Sequence, residues 1–291
     1  TRFAGVTGVQ TCALPICPLS RTPVLYDPGI VIVCQGSKRG FFGQQTYLYD
    51  EQHYLAVSVP VPFVMETDAS PAHPLLAIYI HLDFQLAAEL MLQIEQHDNP
   101  HLPAAPQSMM SSPMDDAVKT AVLRLLEVLN NPFEAEIIGP GRLRELYFRV
   151  LTGAQGNAMR AALALQGQFG KIGKVLRRIH ATYAEPLTLA QLATEAGMSV
   201  PTFHSHFKAI TRIPPMQYVK SVRLHQARML MVRQHITAAA ASYAVGYESP
   251  SQFNREFKRL FGLPPAEEIK RMQRHFAMPP AQQASVFVSS H

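Results

Sequence analysis

The chain has 291 residues, enough for two domains with separate cores, and 47% of them are hydrophobic, an ordinary share for a globular protein. Its longest apolar runs, such as Pro74–Ile80, end at His81 and Asp83, well short of the roughly 20 residues a membrane-spanning helix needs, so no membrane partner is expected. The net charge of +5 is unevenly spread: residues 171–275 hold 16 of the 26 Lys and Arg but 6 of the 21 Asp and Glu, a net +10, and the remainder nets −5.

Charge gathered in one segment suits a polyphosphate partner, since each neutralised phosphate releases condensed counterions; the plain alternative is a basic surface kept for solubility. Cys12, Cys17 and Cys34 cannot all pair and lack the two-plus-two spacing of a metal site. They are expected to be reduced, with Cys34 filling a core.

In chain order, Thr1–Ile16 has neither the basic cluster nor the apolar run of a secretory signal, so export is not expected and the cytoplasm is the default location. The string Gly8–Ile16 resembles translated sequencing-adaptor read-through, so residues 1–16 are expected to be a non-native, poorly packed tail. Residues 22–83 alternate β-branched and aromatic runs with turn formers, as in Ile30–Cys34, then Gly36, Gly40 and Gly43, then Tyr54–Val61, which predicts a small barrel or sandwich. Phe84–Gln96 changes to helical period through Leu86, Leu90 and Ile94. His97–Pro113, with its prolines and paired serines, reads as a loop or linker. Helices are then predicted near Asp115–Leu129 and Gly141–Leu151, packed on the barrel or on a partner subunit.

From Gly170 to Arg274 the pattern is helical and internally repeated: a shift of fifty residues places Ser199 on Ser249, Phe203 on Phe253, Phe207 on Phe257, Lys208 on Lys258 and Pro215 on Pro265. In the first copy Thr188 caps a helix that stops at Gly197, and Ser199 caps a second. Ala193 and Ser242 are small enough for the paired helices to cross closely, and Gly197 and Gly246 supply the positive φ of a tight corner. On the second helix Val200, Phe203, Phe207 and Ile210 share one face, leaving Pro201, Ser205, Lys208 and Arg212 on the other, with Thr202 and His204 nearby. In the second copy Phe253, Phe257 and Leu260 are the buried face, while Ser251, Arg255 and Lys258 point outward beside Gln252 and Asn254. Such faces can donate to guanine and adenine edges or to phosphates. A connecting helix near Met216–Val232, carrying Lys220, Arg223 and Arg228, would hold the two reading helices one DNA turn apart.

These residues resemble the AraC/XylS family of transcription regulators. The likeness rests on Leu189–Ser199, Phe203–Lys208, Arg223-Leu224 with Ala227-Arg228, Val245–Ser249, Ser251-Gln252-Phe253, Phe257-Lys258, Phe261-Gly262 and Pro265. Ser205 stands where many members carry arginine and Arg212 where glycine is common, which shifts base reading toward the second unit. Leu25–Ile30, Gln35–Arg39, Tyr49-Asp50 and Tyr54–Pro60 are similar to the family's N-terminal domain over about Pro23–Leu151. The resemblance implies an α+β fold: a cupin-like β-barrel with flanking helices, then an all-α domain of two helix-turn-helix units joined by a long helix. The expected bounds are a tail at 1–16, a regulatory or dimerisation domain at 17–165, a DNA-binding domain at 170–275 and a flexible tail at 276–291. It implies double-stranded promoter or operator DNA as partner, with a small effector, a second copy of the chain and RNA polymerase as further partners.

Catalysis is not expected. Metal-dependent cupins need two histidines two apart on a strand, whereas His53, His73 and His81 are scattered, and His204 and His206 sit about 200° apart around a helix. No nucleophile elbow, phosphate loop or paired catalytic carboxylates occur, and no cofactor is expected. Within the barrel, Lys38, Tyr54, Tyr79 and His81 are the candidates for contact with a ligand, against the plainer reading of solvated loop ends and satisfied barrel polars. The alternative for the whole chain is a barrel enzyme or ligand-binding protein whose basic helical domain only packs against it.

Overall fold

The computed structural model describes residues 9–13, 19–70, 72–97, 104–164 and 167–275. The strands are β1 (Val9–Ala13), β2 (Leu19–Tyr26), β3 (Gly29–Gln35), β4 (Ser37–Phe42), β5 (Gln45–Asp50), β6 (His53–Val57), β7 (Val61–Asp68), β8 (Leu76–His81) and β9 (Met109–Pro113). They form a 9-stranded sheet in the order β1-β8-β3-β6-β5-β4-β7-β2, with β9 on β6. β1 and β2 end that path and do not pair with each other among the described residues, so the curled sheet is a half-barrel and not a closed barrel.

The sheet has two apolar faces where the sequence runs apolar without alternating. Along β3 and β6, Val31, Val33, Leu55 and Val57 face the concave side, while Ile30, Ile32, Tyr54 and Ala56 face the convex side, each set in its own core cluster. Helices α1 (Phe84–His97), α2 (Asp116–Leu129), α3 (Pro132–Ile137), α4 (Gly139–Thr152) and α5 (Gly156–Leu163) follow. The convex face is covered by α1, α2, α4 and α5 through Leu90, Leu125, Leu146, Tyr147 and Met159. β7 alternates buried and half-exposed residues up to its exposed end, as a strand with one dry face should.

The concave cluster does not stop at the sheet. It continues through Phe169, Ile172 and Leu176 of α6 (Gly167–Thr182) into Leu192, Phe203, Phe207 and Tyr218 of the helical third. That third adds α7 (Leu189–Glu195), α8 (Val200–Thr211), α9 (Pro215–Gln234), α10 (Ala238–Ala244), α11 (Pro250–Phe261) and α12 (Pro265–His275).

Several expectations are corrected. The 97–113 stretch is not loop throughout, because Met109–Pro113 pairs along β6 from Val57↔Met109 to His53↔Pro113. Cys34 is exposed rather than in a core, since the register of β3 on β8 shifts between Val33 and Gln35 and turns that side chain outward. Within the expected 1–16 tail, residues 9–13 pair along β8 from Val9↔Ile80 to Ala13↔Leu76. The rest of that tail, and the expected tail at 276–291, lie outside the described residues.

Candidate nucleic-acid interface and sheet interior

Two helix pairs, α7–α8 and α10–α11, are built by the same local chemistry. Thr188 caps α7 in a reciprocal box with Gln191, and Thr237 caps α10 by accepting from the Ala240 amide at 3.2 Å. Gly197 (φ 62) and Gly246 (φ 84) turn the corner. Ser199 and Ser249 cap α8 and α11, accepting from Thr202 N at 3.4 Å and Gln252 N at 3.3 Å. α7 and α10 are offset by 49 residues and α8 and α11 by 50, so the second corner is one residue longer. The buried faces are aromatic: Phe203, Phe207, Phe253 and Phe257 are each 0% exposed. Val200, expected on this face, is 39% exposed, because it lies in the first turn of α8, beyond the packing.

On the opposite faces, Pro201, Thr202, Ser205 and Lys208 of α8, and Ser251, Gln252, Asn254, Arg255 and Lys258 of α11, are exposed, and His204 is half-buried. Arg212 is exposed but stands apart from that set. It caps α8 in the left-handed region (φ 64). Its side chain lies along the β4–β5 turn, with the guanidinium 6.0 Å from the Phe42 ring. Ser108 Oγ donates to the Ile210 carbonyl at 2.8 Å, seating the same end of α8 on the sheet domain.

The three basic residues expected on the connecting helix α9 are each tied to fixed acceptors within the protein, Lys220 and Arg223 half-buried and Arg228 fully buried. Lys220 Nζ is 2.7 Å from Glu256 Oε1 of α11. Arg223 donates to the carbonyls of Tyr183, Glu185 and Gly246 at 2.7, 2.8 and 3.1 Å, tying the end of α6 to the second corner. Arg228 is 0% exposed and donates to Glu268 Oε1 at 3.3 Å and to the Pro23 carbonyl of β2 at 3.0 Å. Burial lowers its guanidinium to about 10, with Glu268 opposing the shift. Neighbouring His225 is pushed well below its ordinary value, first by burial and then by the Arg228 charge, and so is neutral. Sequence reasoning missed Glu256. Burial pushes its carboxyl up, but hydrogen bonds from Lys220, Gln252 and Tyr247 outweigh this and leave it below the usual carboxylate value.

Of the ligand candidates in the sheet domain, three share the concave side. Lys38 is 3% exposed, and its Nζ donates to the Tyr26 hydroxyl at 3.2 Å and lies 5.9 Å from the Tyr49 ring centre. In register it opposes Tyr49 on β5 and Thr67 on β7, so all three face one way. The Thr67 hydroxyl is buried with no hydrogen-bond partner among the described residues. Tyr79 packs 6.1 Å from Tyr26, donates to the Asp27 carbonyl at 2.6 Å and stacks edge-on against His81 at 4.6 Å. Tyr54 is not with them: it belongs to the convex cluster under the helices, on the opposite pleat of the sheet.

Residues 16–158 match the family model of the AraC-type transcriptional regulator N-terminus, and residues 192–271 match that of a helix-turn-helix domain. An AraC-like transcription regulator of Streptomyces lividans is 31% identical over 108 residues, which is 37% of this chain and 34% of that protein. The RCS-specific transcriptional activator RclR of Escherichia coli is 27% identical over 104 residues, 36% of this chain and 37% of that protein. The chain thus spans about a third of the length of these curated relatives. Unsaturated-fatty-acid-bound ToxT of Vibrio cholerae superposes with a TM-score of 0.62 at 10% identity, covering 91% of this chain and 96% of that one, which shows the same fold. No helix among the described residues is long and apolar enough to cross a membrane. With an AraC-type N-terminal domain followed by a double helix-turn-helix, the chain belongs to the AraC/XylS family of transcription regulators.

Proposed function

We propose that the chain is a cytoplasmic, non-catalytic regulator that reads promoter or operator DNA with α8 and α11. In this reading residues 170–275 bind DNA and residues 17–165 form the regulatory domain. The observation that carries it is the pair of capped helices whose outer faces expose Lys208, Arg255 and Lys258 among small polar residues while their inner faces bury phenylalanine. A second copy of the chain and RNA polymerase are the protein partners the reading expects. On the concave side of the sheet, the buried Lys38 ammonium beside the Thr67 hydroxyl suits the anionic group of a small effector, with Tyr79 and His81 further along the same face. The fatty acid carried by ToxT has such a group.

Randomised-site selection tests the DNA reading. In this reading Arg255 makes a paired donation to a guanine edge and Lys258, further along the helix, contacts phosphate. Arg255→Ala is expected to cost about 1 to 3 kcal/mol at one base pair and relax preference there, while Lys258→Ala weakens all sequences alike and lowers the salt dependence. Selection that enriches no sequence with the unaltered chain rejects DNA reading.

A further inference from the structure

Gln252 occupies the third position of α11, in the first turn, where a reading helix meets base edges. Its backbone amide is spent on the Ser249 cap, so only the side-chain amide is left to read with. That amide is not free to turn. Its Nε2 donates to Glu256 Oε1 at 3.1 Å, one helical turn on. A carboxylate only accepts, so nitrogen, not oxygen, must face it. Glu256 is itself fixed from two other elements: Lys220 Nζ of α9 donates to its Oε1 at 2.7 Å, and the Tyr247 hydroxyl of the second corner donates to its Oε2 at 2.8 Å. Tyr247 is buried and edge-on to Phe253 at 5.4 Å, which anchors the network in the core of the second unit. The network is absent from the first unit, where the positions fifty residues earlier are Thr202 and His206.

We infer that Glu256 is a specificity-setting positioning residue: it orients the Gln252 amide so that Oε1 faces the groove and selects a base with an exocyclic amino group, adenine or cytosine. An ordinary glutamine can present either end and so tolerates the acceptor edges of guanine and thymine. One locked by a carboxylate presents its acceptor first, and in the major groove only adenine N6 and cytosine N4 donate to it. The inference rests on α11 reading DNA.

The test is randomised-site selection with the full-length chain and three variants, each checked for unaltered thermal melting. The unaltered protein is expected to enrich adenine or cytosine at one position, and Gln252→Met, which keeps the length of the side chain but removes the amide, abolishes that preference. Glu256→Ala frees the amide, and discrimination at the same position falls about tenfold or more. Glu256→Gln keeps an acceptor toward Lys220 and Gln252 and restores it. A merely structural role for Glu256 would lower affinity for all sequences equally, so Glu256→Ala that keeps every positional preference overturns the inference. Enrichment of guanine or thymine at the position that Gln252→Met alters overturns it as well. If the unaltered protein enriches nothing, DNA reading fails and the inference with it; loss confined to the variants' predictions leaves DNA reading standing.

Discussion

Arg212 and Gly262 lie fifty residues apart in sequence and do the same work: each ends the second helix of its helix-turn-helix pair in the left-handed region, at φ 64 and φ 82. Each backbone amide bonds back to the carbonyl four residues earlier, Lys208 and Lys258 respectively. Glycine adopts this conformation freely, while a side chain costs roughly 1 to 2 kcal/mol there. That cost favours glycine, the residue common here in the family; at Arg212 the side chain is instead laid against Phe42 and Gly43 of the sheet domain. Gly246 is under a second constraint. A Cβ there would meet the Ala184 carbonyl oxygen at 2.4 Å, whereas at Gly262 nothing lies within 4 Å. Gly262→Ala is therefore expected to cost about 1 kcal/mol from backbone strain alone. Gly246→Ala should cost at least about twice that, because the Tyr183–Glu185 segment held by Arg223 must also move. Urea denaturation of both variants checks the ranking, and equal losses would reject the steric contribution.

At the scale of elements, each unit is centred on one aromatic ladder: Phe203, Phe207 and Tyr218 at 5.4 and 5.3 Å in the first, and Phe253, Phe257 and Phe261 at 5.5 and 4.5 Å in the second. Phe207→Ala or Phe257→Ala removes the middle rung and should cost about 3 to 5 kcal/mol. Thermal melts at the unaltered midpoint would show these rings outside the core. Two rungs of each ladder were legible because helical spacing, serine caps and corner glycines are all local signals; Tyr218 was not, since α9 supplies it, and the buried face of α11 closes on Phe261 rather than on the expected Leu260, which is half-buried. The ties of α9 were not legible either. Nothing local distinguishes Arg228, sealed beneath Glu268 and Pro23, from the exposed Arg255, since a basic residue on a helix declares its partner only after the chain has folded. The strand at Met109–Pro113 was obscured for the same reason: its five residues have no periodicity, and its pairing with β6 is made across the whole of α1. Gln252 was readable as an exposed polar residue, but the carboxylate that orients it was not, because Glu256 earns its role through Lys220 on another helix.

Over the whole molecule, the sheet domain and the first unit share one core. Val31, Val57, Phe63 and Tyr79 of the sheet belong to the same cluster as Ile172, Phe207, Tyr218 and Met272 of the helical third. Hydrogen bonds cross the same seam: Tyr218 donates to the Pro60 carbonyl at 2.9 Å, Arg228 to the Pro23 carbonyl at 3.0 Å and Ser108 to the Ile210 carbonyl at 2.8 Å. The second unit has a cluster of its own, around Phe253, Phe257 and Val245, but α9 supplies residues to both, with Val219 and Val222 in one and Leu224 and Met231 in the other. A helix whose opposite sides complete two cores makes the loss of either felt by the other. The expected consequence is one cooperative calorimetric transition for the full chain, with the calorimetric and van't Hoff enthalpies equal. A fragment spanning residues 167–275 should melt lower, because it leaves Ile172, Leu176 and Tyr218 without the sheet that covers them. Two resolved transitions in the full chain, or a fragment that melts at the midpoint of the whole, would mean that the shared cluster contributes no coupling and that the two halves merely touch.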